Sequence, residues 1–440
     1  MTAHADVLKD ENYRTSPTAQ EVLDNWRANN RENLPAHNQR WDVSNPDIYA
    51  DHTWPEIFAE MRKTAPVNKV TGTPHGDFWN VTTLRQIQHI EALPMVFSSD
   101  VMNGGMVIQD PTHDATAENG GAGFIAMDPP EHTKRRRTVA PAFAPAEMVR
   151  LSELVRQRTA KVLDDLPINE QFDWVEKVSI ELTTGMLATI FDFPWEHRQL
   201  LTFWSDWMSD LGLSQADELV NARKEVQMEM VSCFFKLWEQ RSNAEPASDL
   251  LSRMIHSDVM SEMGPAEFLN SIALLIVGGN DTTRNTMTGI VHALDMFPQE
   301  RAKLEADPGI IPNAVQECIR YVTPVAHMRR TAIEDTELLD QKINKGDKVI
   351  LWYLSANRDD EIFEDPDRLI LDRPNARRHV AFGYGVHRCV GARLAELQLR
   401  ILIEEMTARK LRVHVTGKVD RLRQNFIHGF RKAEVTVERG

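Results

Sequence analysis

Three cysteines occur in 440 residues, and one of them, Cys389, stands in HVAFGYGVHRCVGARLAEL between two glycine-rich turns and a helical run from about Leu394. A buried cysteine is most often a small hydrophobe, but Phe382, Gly385, His387 and Gly391 surround this one at offsets of seven, four and two residues before it and two after it. Glycines let backbone approach a flat object closely, and the positive end of the following helix favours the thiolate. A lone thiolate in such a cradle suits a metal that asks the protein for a single ligand, as haem iron does.

Three other stretches carry residue types with chemical potential. In MDPPEHTKRRRTVAPAF, Pro129 and Pro130 start a helix on which His132 and Arg136 share a face. That face is either an exposed basic turn or a carboxylate site, since a planar guanidinium matches a carboxylate bidentately. In QECIRY, Glu317 and Arg320 form an i, i+3 pair that by itself reads as a solvated surface contact. In GGNDTTRN, Asp281, Thr282 and Thr283 compete for backbone hydrogen bonds inside a long apolar helix. Gly278 and Gly279 weaken that helix further, by about 1 kcal/mol each relative to alanine. The conflict predicts either a functional distortion or a packing kink.

The elements that must position these residues are mostly helical. SELVRQRTAKVLDDL, VEKVSIELTTGMLATIF, LVNARKEVQMEMVSCFFKLWEQR and AEFLNSIALLIVGGNDTTRNTMTGIVHALDMF carry apolar residues at three- and four-residue spacing. The last is long and apolar enough to run through a domain centre. APVNKV, FWNVTT and VFSS precede the helices as short strands, and DKVILWYL, RVHVT and AEVTVE follow them. The expected fold class is mainly α with small β-sheets (α+β). Residues 1–40 form a polar, loosely held N-terminal arm, and 41–440 a single domain.

Composition excludes several function classes. A formal net charge of −15 opposes nucleic-acid binding, which needs a dominant basic field. Cys233, Cys318 and Cys389 share no short spacing, so neither a disulfide framework nor a zinc site fits, and a reducing cytoplasm is expected. The first forty residues have no signal-peptide core. The longest apolar run, Ser271–Gly279, is about half the length of a membrane span, so none is expected.

The segment Phe382–Gly391 resembles the haem-binding loop of the cytochrome P450 family, F-x-x-G-x-[RH]-x-C-x-G, at every defined position. The other stretches follow in family order: H-x-x-x-R after D-P-P-x, [AG]-G-x-[DE]-T-[TS], and E-x-x-R. The resemblance implies the cytochrome P450 fold, with a long central helix over haem b (iron protoporphyrin IX). Cys389 becomes the axial thiolate ligand, with Phe382, Gly383 and Gly391 packed about it and Gly278 and Gly279 across the haem. His132, Arg136, Arg330 and His387 hold the propionates, with Arg329 the neighbouring alternative to Arg330. Thr282 hydrogen-bonds dioxygen at the iron and Asp281 helps deliver protons. Glu317 and Arg320 brace the cysteine loop through a downstream arginine, assigned to Arg368 in DPDRL.

Monooxygenation follows: one atom of O2 enters a C–H bond and the other leaves as water. No G-x-G-x-x-G opens a helix after a strand, so the electrons, derived indirectly from NAD(P)H, are expected from a separate ferredoxin and its reductase. Lys134, Arg135, Arg137, Arg388 and Arg393 form a basic dock for it, or else a solvated face. The resemblance places Met102, Val107, Ile108, Leu274, Leu275, Val277, Gly278, Val325, Ala326, Met328, Phe426 and Ile427 around the substrate. Their aliphatic and thioether character favours a flexible apolar molecule. GNDTTRNTMTG, HMRRTA and HRCVGARLAELQLRILIEE look closest to bacterial terminal hydroxylases of alkanes and fatty acids, so ω-hydroxylation of a medium-chain substrate is expected. The alternatives are a terpene or steroid hydroxylase of the same family and, outside it, a haem-based gas sensor. The glycines and methionines from Met102 to Ile125 suggest a mobile lid at the entrance.

Overall fold

Helical periodicity from Pro265 onward produces the element around which the rest is arranged, a helix Pro265–Met296 of 32 residues, about 48 Å long at the α-helical rise. Phe268, Ile272, Ile276, Met287, Ile290 and Leu294 bury its flanks. The Asp-Thr-Thr run does not open it. Thr282 Oγ1 donates to the Gly278 carbonyl at 2.7 Å, Asn285 Nδ2 to that of Asp281 at 2.8 Å, and Thr286 Oγ1 to that of Thr282 at 2.7 Å. The side chains expected to disrupt the helix bond back to the preceding turn instead, and the helix stays continuous. Gly279 has a packing reason: a Cβ there would lie 2.8 Å from Leu187 Cδ2, so glycine lets the helix Glu181–Phe191 come close.

The computed structural model describes residues 18–34, 36–111, 123–258 and 265–440. Helices Glu131–Val139, Pro145–Asp164, Gln199–Ser209, Asp217–Ser242 and Ala392–Ala408 pack with the central helix around one apolar cluster that includes Leu201, Trp204, Phe234 and Ile401. The early strands fall where alternation predicts, at Val67–Thr73, Gly76–Val81 and Phe97–Ser98. Gly76–Val81 lies parallel to Lys348–Leu351, which pairs antiparallel with Met328–Ala332 in the register Met328↔Leu351. A second sheet joins Gln171–Asp173, Glu434–Arg439 and Leu411–Val415. The mainly helical expectation with small sheets holds. No helix among the described residues is long and apolar enough to cross a membrane.

The N-terminal segment departs from expectation. Residues 1–17 lie outside the described residues, but Ala19–Asn29 is a helix with a complete Thr18–Glu21 capping box. Ala19 and Leu23 pack into Trp207, Leu213 and Leu219, and Trp26 Nε1 donates to Glu218 Oε1 at 2.7 Å. This part is not a loose arm, because Ala19, Val22, Leu23 and Trp26 find a cluster between two other helices.

Candidate functional site

The turn before the helix Ala392–Ala408 is closed by Cys389 N–H donating to the Phe382 carbonyl at 2.8 Å. The N–H groups of Gly391 and Ala392 face the sulfur, as an aimed helix N-terminus requires. Burial nonetheless outweighs them and holds the Cys389 thiol above its ordinary range, with the Arg136 and Arg388 guanidiniums pulling the other way. Cys389 is exposed and lines a cavity of about 210 Å³.

All ten residues expected to contact the cofactor line this cavity: His132, Arg136, Gly278, Gly279, Arg330, Phe382, Gly383, His387, Cys389 and Gly391. The basic ones gather at one rim. His132 is buried rather than on an exposed turn, and its ring centroid lies 4.2 Å from that of His387. Burial, then Arg136, lower His132 to about 4; burial, then Arg330, lower His387 even further. None of the four ring nitrogens has a hydrogen-bond partner within the protein. Arg330, on the strand Met328–Ala332, is the arginine that faces the cavity, whereas Arg329 turns away to Asp110 at 2.7 Å.

This arrangement passes a test of fit for haem. Orphaned buried imidazoles cost about 1–3 kcal/mol each, and two carboxylates at that rim would satisfy them and pair with Arg136 and Arg330. The rest of the cavity is walled mostly by apolar side chains that suit a porphyrin face, with one sulfur placed to reach its metal. Among the described residues no cluster of three or more His, Cys, Asp or Glu offers another metal site.

Across the cavity, Thr282 and Thr283 line the wall, but Asp281 does not. Asp281 is fully buried on the far side of the helix, where Arg284 Nη2 donates to Asp281 Oδ1 at 2.8 Å and to Asp206 Oδ1 at 2.7 Å. Its Oδ2 sits beside the Ser205 and Ser209 hydroxyls with no formed hydrogen bond. Burial raises the Asp281 carboxyl above its usual range, and Arg284 opposes the rise. Arg284 and Asp206 were not anticipated; only GGNDTTRN's i, i+3 spacing of Asp281 and Arg284 hints at the first.

The charge pair of QECIRY proves buried, and its third member differs from the expectation. Arg320 Nε and Nη2 donate to Glu317 at 2.7 and 2.8 Å, and Arg373 Nε donates to both Glu317 oxygens at 3.0 Å. Arg368 contributes only its carbonyl, 3.1 Å from Arg320 Nη2, while its side chain points to solvent near Asp365. Arg373 therefore takes the place assigned to Arg368, because the chain turns at Leu371–Arg373 to bring it back over Glu317. Arg320 Nη1 also donates to Asn357 O at 2.7 Å, and Asn357 Oδ1 accepts from Val380 N at 2.8 Å. The clamp thus reaches the cysteine segment.

Of the expected substrate residues, Leu274, Leu275, Gly278, Val325 and Met328 line the cavity. Met102 is 68% exposed. Val107, Phe426 and Ile427 belong to the apolar cluster around the first sheet, and Ile108 and Ala326 to one around Trp352, so these five support the wall from behind. Val277 is half-buried off the cavity wall. Phe124, Met186, Leu187, Ile190 and Leu250 also line the cavity. They were missed because an apolar residue on a helix reads as core whether it faces protein or cavity. Residues 112–122 of the expected lid lie outside the described residues. In the basic patch, Arg135 pairs with Glu267 at 2.5 Å and is half-buried, Lys134 pairs with Glu131 at 2.6 Å but stays exposed, and Arg137, Arg388 and Arg393 are exposed as well.

A single sulfur opening on an apolar chamber with a carboxylate-binding rim defines a haem-thiolate protein. A family model described as Cytochrome P450 matches residues 310–430. Linalool 8-monooxygenase from Pseudomonas putida is 33% identical over 404 residues, covering 91% of this chain and 99% of that one. The methyl-branched lipid omega-hydroxylase of Mycobacterium tuberculosis is 31% identical over 395 residues, covering 86% and 90%. The solved structure of cytochrome P450-153 from Novosphingobium aromaticivorans is 60% identical with a TM-score of 0.86, covering 91% of this chain and all of that one. The chain belongs to the cytochrome P450 family and is a monooxygenase, a chemistry that requires haem, dioxygen and reducing equivalents.

Proposed function

We propose that the protein ω-hydroxylates medium-chain alkanes or fatty acids in the cytoplasm, with electrons passed from NAD(P)H through a separate ferredoxin. The observation that carries this reading is the apolar chamber over Cys389, walled by Leu274, Leu275, Val325 and Met328. The methyl-branched lipid omega-hydroxylase among the relatives supports terminal attack. A terminal C–H bond is stronger than its neighbours, so selectivity must come from presenting only the chain end, which a narrow aliphatic channel does by orientation.

Haem b, when bound, supplies an electron-rich iron at which dioxygen is activated. Cys389 Sγ would hold the metal. His132, His387, Arg136 and Arg330 would hold the two propionates and orient the ring. Thr282 Oγ1 keeps a hydroxyl at the cavity wall, and Asp281, on the helix's far side beside Ser205 and Ser209, would relay protons toward it. Leu274 and Leu275 exclude water from the reacting end of the chain. Arg137, Arg388 and Arg393 draw an acidic ferredoxin to the cysteine side.

Purified holoprotein with a surrogate ferredoxin system, given octane and dodecanoate, should yield terminal alcohols as the main products. Internal alcohols or no turnover would overturn the substrate assignment. A second reading, terpene or steroid hydroxylation, is favoured by the 33% identity to linalool 8-monooxygenase. Ligand-induced spectral shifts with linalool or cholestenone but not with the linear substrates would select it.

A further inference from the structure

Glu91 ends the helix Leu84–Glu91 and is 3% exposed, beyond the reach of every motif in the sequence. Three donors converge on its carboxylate. Arg330 Nη2 donates to Oε1 at 2.8 Å, the Tyr353 hydroxyl donates to the same oxygen, and Tyr384 N–H donates to Oε2 at 2.8 Å. Arg330 and Tyr353 both line the cofactor cavity, and Tyr384 lies in the turn leading to Cys389. One buried anion therefore grips a propionate arginine with one oxygen and the cysteine loop with the other.

The loop is shaped around this residue. Gly385 has φ +64°, and a Cβ there would lie 2.3 Å from the Glu91 carbonyl oxygen. Gly383 has φ +68°, and its Cβ would sit 3.2 Å from the Tyr353 hydroxyl. Both glycines are required by the approach of the turn to Glu91 and its partner, as well as by any flat ligand on the other side.

We infer that Glu91 is a positioning residue that fixes Arg330 and the cysteine turn in one register, and that its charge behind Arg330 sets the reduction potential of the haem. The inference rests on haem binding at Cys389. Its physical basis is that outer partners orient and tune the groups that touch a cofactor, and that a buried carboxylate, by offsetting the Arg330 charge in a low-dielectric interior, favours the more positive oxidation state of nearby iron.

The test uses holoprotein carrying Glu91→Gln, which keeps the shape and removes the charge. Its midpoint potential, measured by spectroelectrochemical titration, should move positive, and haem transfer to apomyoglobin should become severalfold faster. The reduced carbon monoxide band of a thiolate ligand should persist. Tyr353→Phe keeps the charge but removes one of its donors, so its potential should move negative. Native potential and native haem loss in E91Q would overturn the inference. If E91Q cannot be recovered with haem, an unmoved potential in Y353F would overturn it instead. Wild-type protein lacking the thiolate carbon monoxide band would count against Cys389 as ligand, a separate failure.

Discussion

Arg368 and Arg373 both follow an aspartate in DPDRLILDRP, five positions apart, yet one is a surface charge and the other a buried clamp. Removing Arg373 leaves the Glu317 carboxylate, which is fully buried, short of a cation it was built around. Breaking one partner of a buried charge set costs about 3–5 kcal/mol, so Arg373→Ala should lower the urea-unfolding free energy by that order. Arg368→Ala removes an exposed side chain and should stay within about 0.5 kcal/mol. Equal effects would show that the clamp is misassigned. Arg284 bears on proton supply in a related way. Its positive charge opposes the burial that raises the Asp281 carboxyl, so Arg284→Gln should raise that carboxyl further. If Asp281 must ionise during turnover, the acid limb of the pH–rate profile for product formation should move to higher pH. A limb that stays in place would remove Asp281 from the rate-determining proton path.

Among the elements, the helix Ala19–Asn29 shows what local pattern can and cannot reveal. Its capping box, Thr18 with Glu21, went unread in a segment expected to be a loose arm, and its docking depends on Leu213 and Trp207, nearly two hundred residues on. It ties the Leu211–Gln215 turn to the C-terminal region through Arg27, which donates to Gln215 Oε1 and the Arg423 carbonyl at 3.4 Å. Leu23→Ala opens space under that turn, and a buried leucine truncation costs about 2–5 kcal/mol. The expected result is faster amide exchange in Leu211–Gln215 and the flanking helix ends, with the central helix unchanged; uniform exchange would refute a local tie. The central helix itself was readable because many turns of apolar periodicity outweigh one polar run. Met328–Ala332 was not read as a strand, since five residues with two adjacent arginines lack alternation, and both arginines are buried only because Asp110 and Glu91 reach them from elsewhere. The cysteine loop was fully legible, being a contiguous motif, whereas Glu91, Arg284 and Arg373 were not, being supplied by tertiary contact.

At the scale of the whole molecule, buried histidines set a pH limit on stability, and His327, His379 and His428 are the most enclosed of them. His327 is held neutral by two bonds, Nδ1 with the Asn425 carbonyl at 2.8 Å and Nε2 accepting from Ile108 N at 3.1 Å. Burial lowers it to about 4, and burial, followed by nearby arginines, lowers His379 and His428 to about 3. Unfolded, each takes up a proton near pH 6.5. Between roughly pH 6.5 and 4 the unfolded chain therefore binds more protons than the folded one, so stability is full above 6.5 and falls as pH drops through that window. Asp210, its carboxyl raised by burial to about 6, and Glu91, Asp173, Glu229 and Asp281, also raised by burial, work in the opposite direction, while His52, His75, His132, His292 and His387, all lowered by burial, act with the three. The formal charge of −15 shrinks toward zero near pH 5.5, which relieves self-repulsion and would on its own stabilise the fold. A thermal midpoint that falls from pH 7 to 5 in spite of that relief isolates the histidines as the cause. His327→Gln, which can donate and accept across the same two bonds without titrating, should flatten the fall. A midpoint that rises on acidification, or a slope that His327→Gln leaves unaltered, would show that other groups govern acid stability.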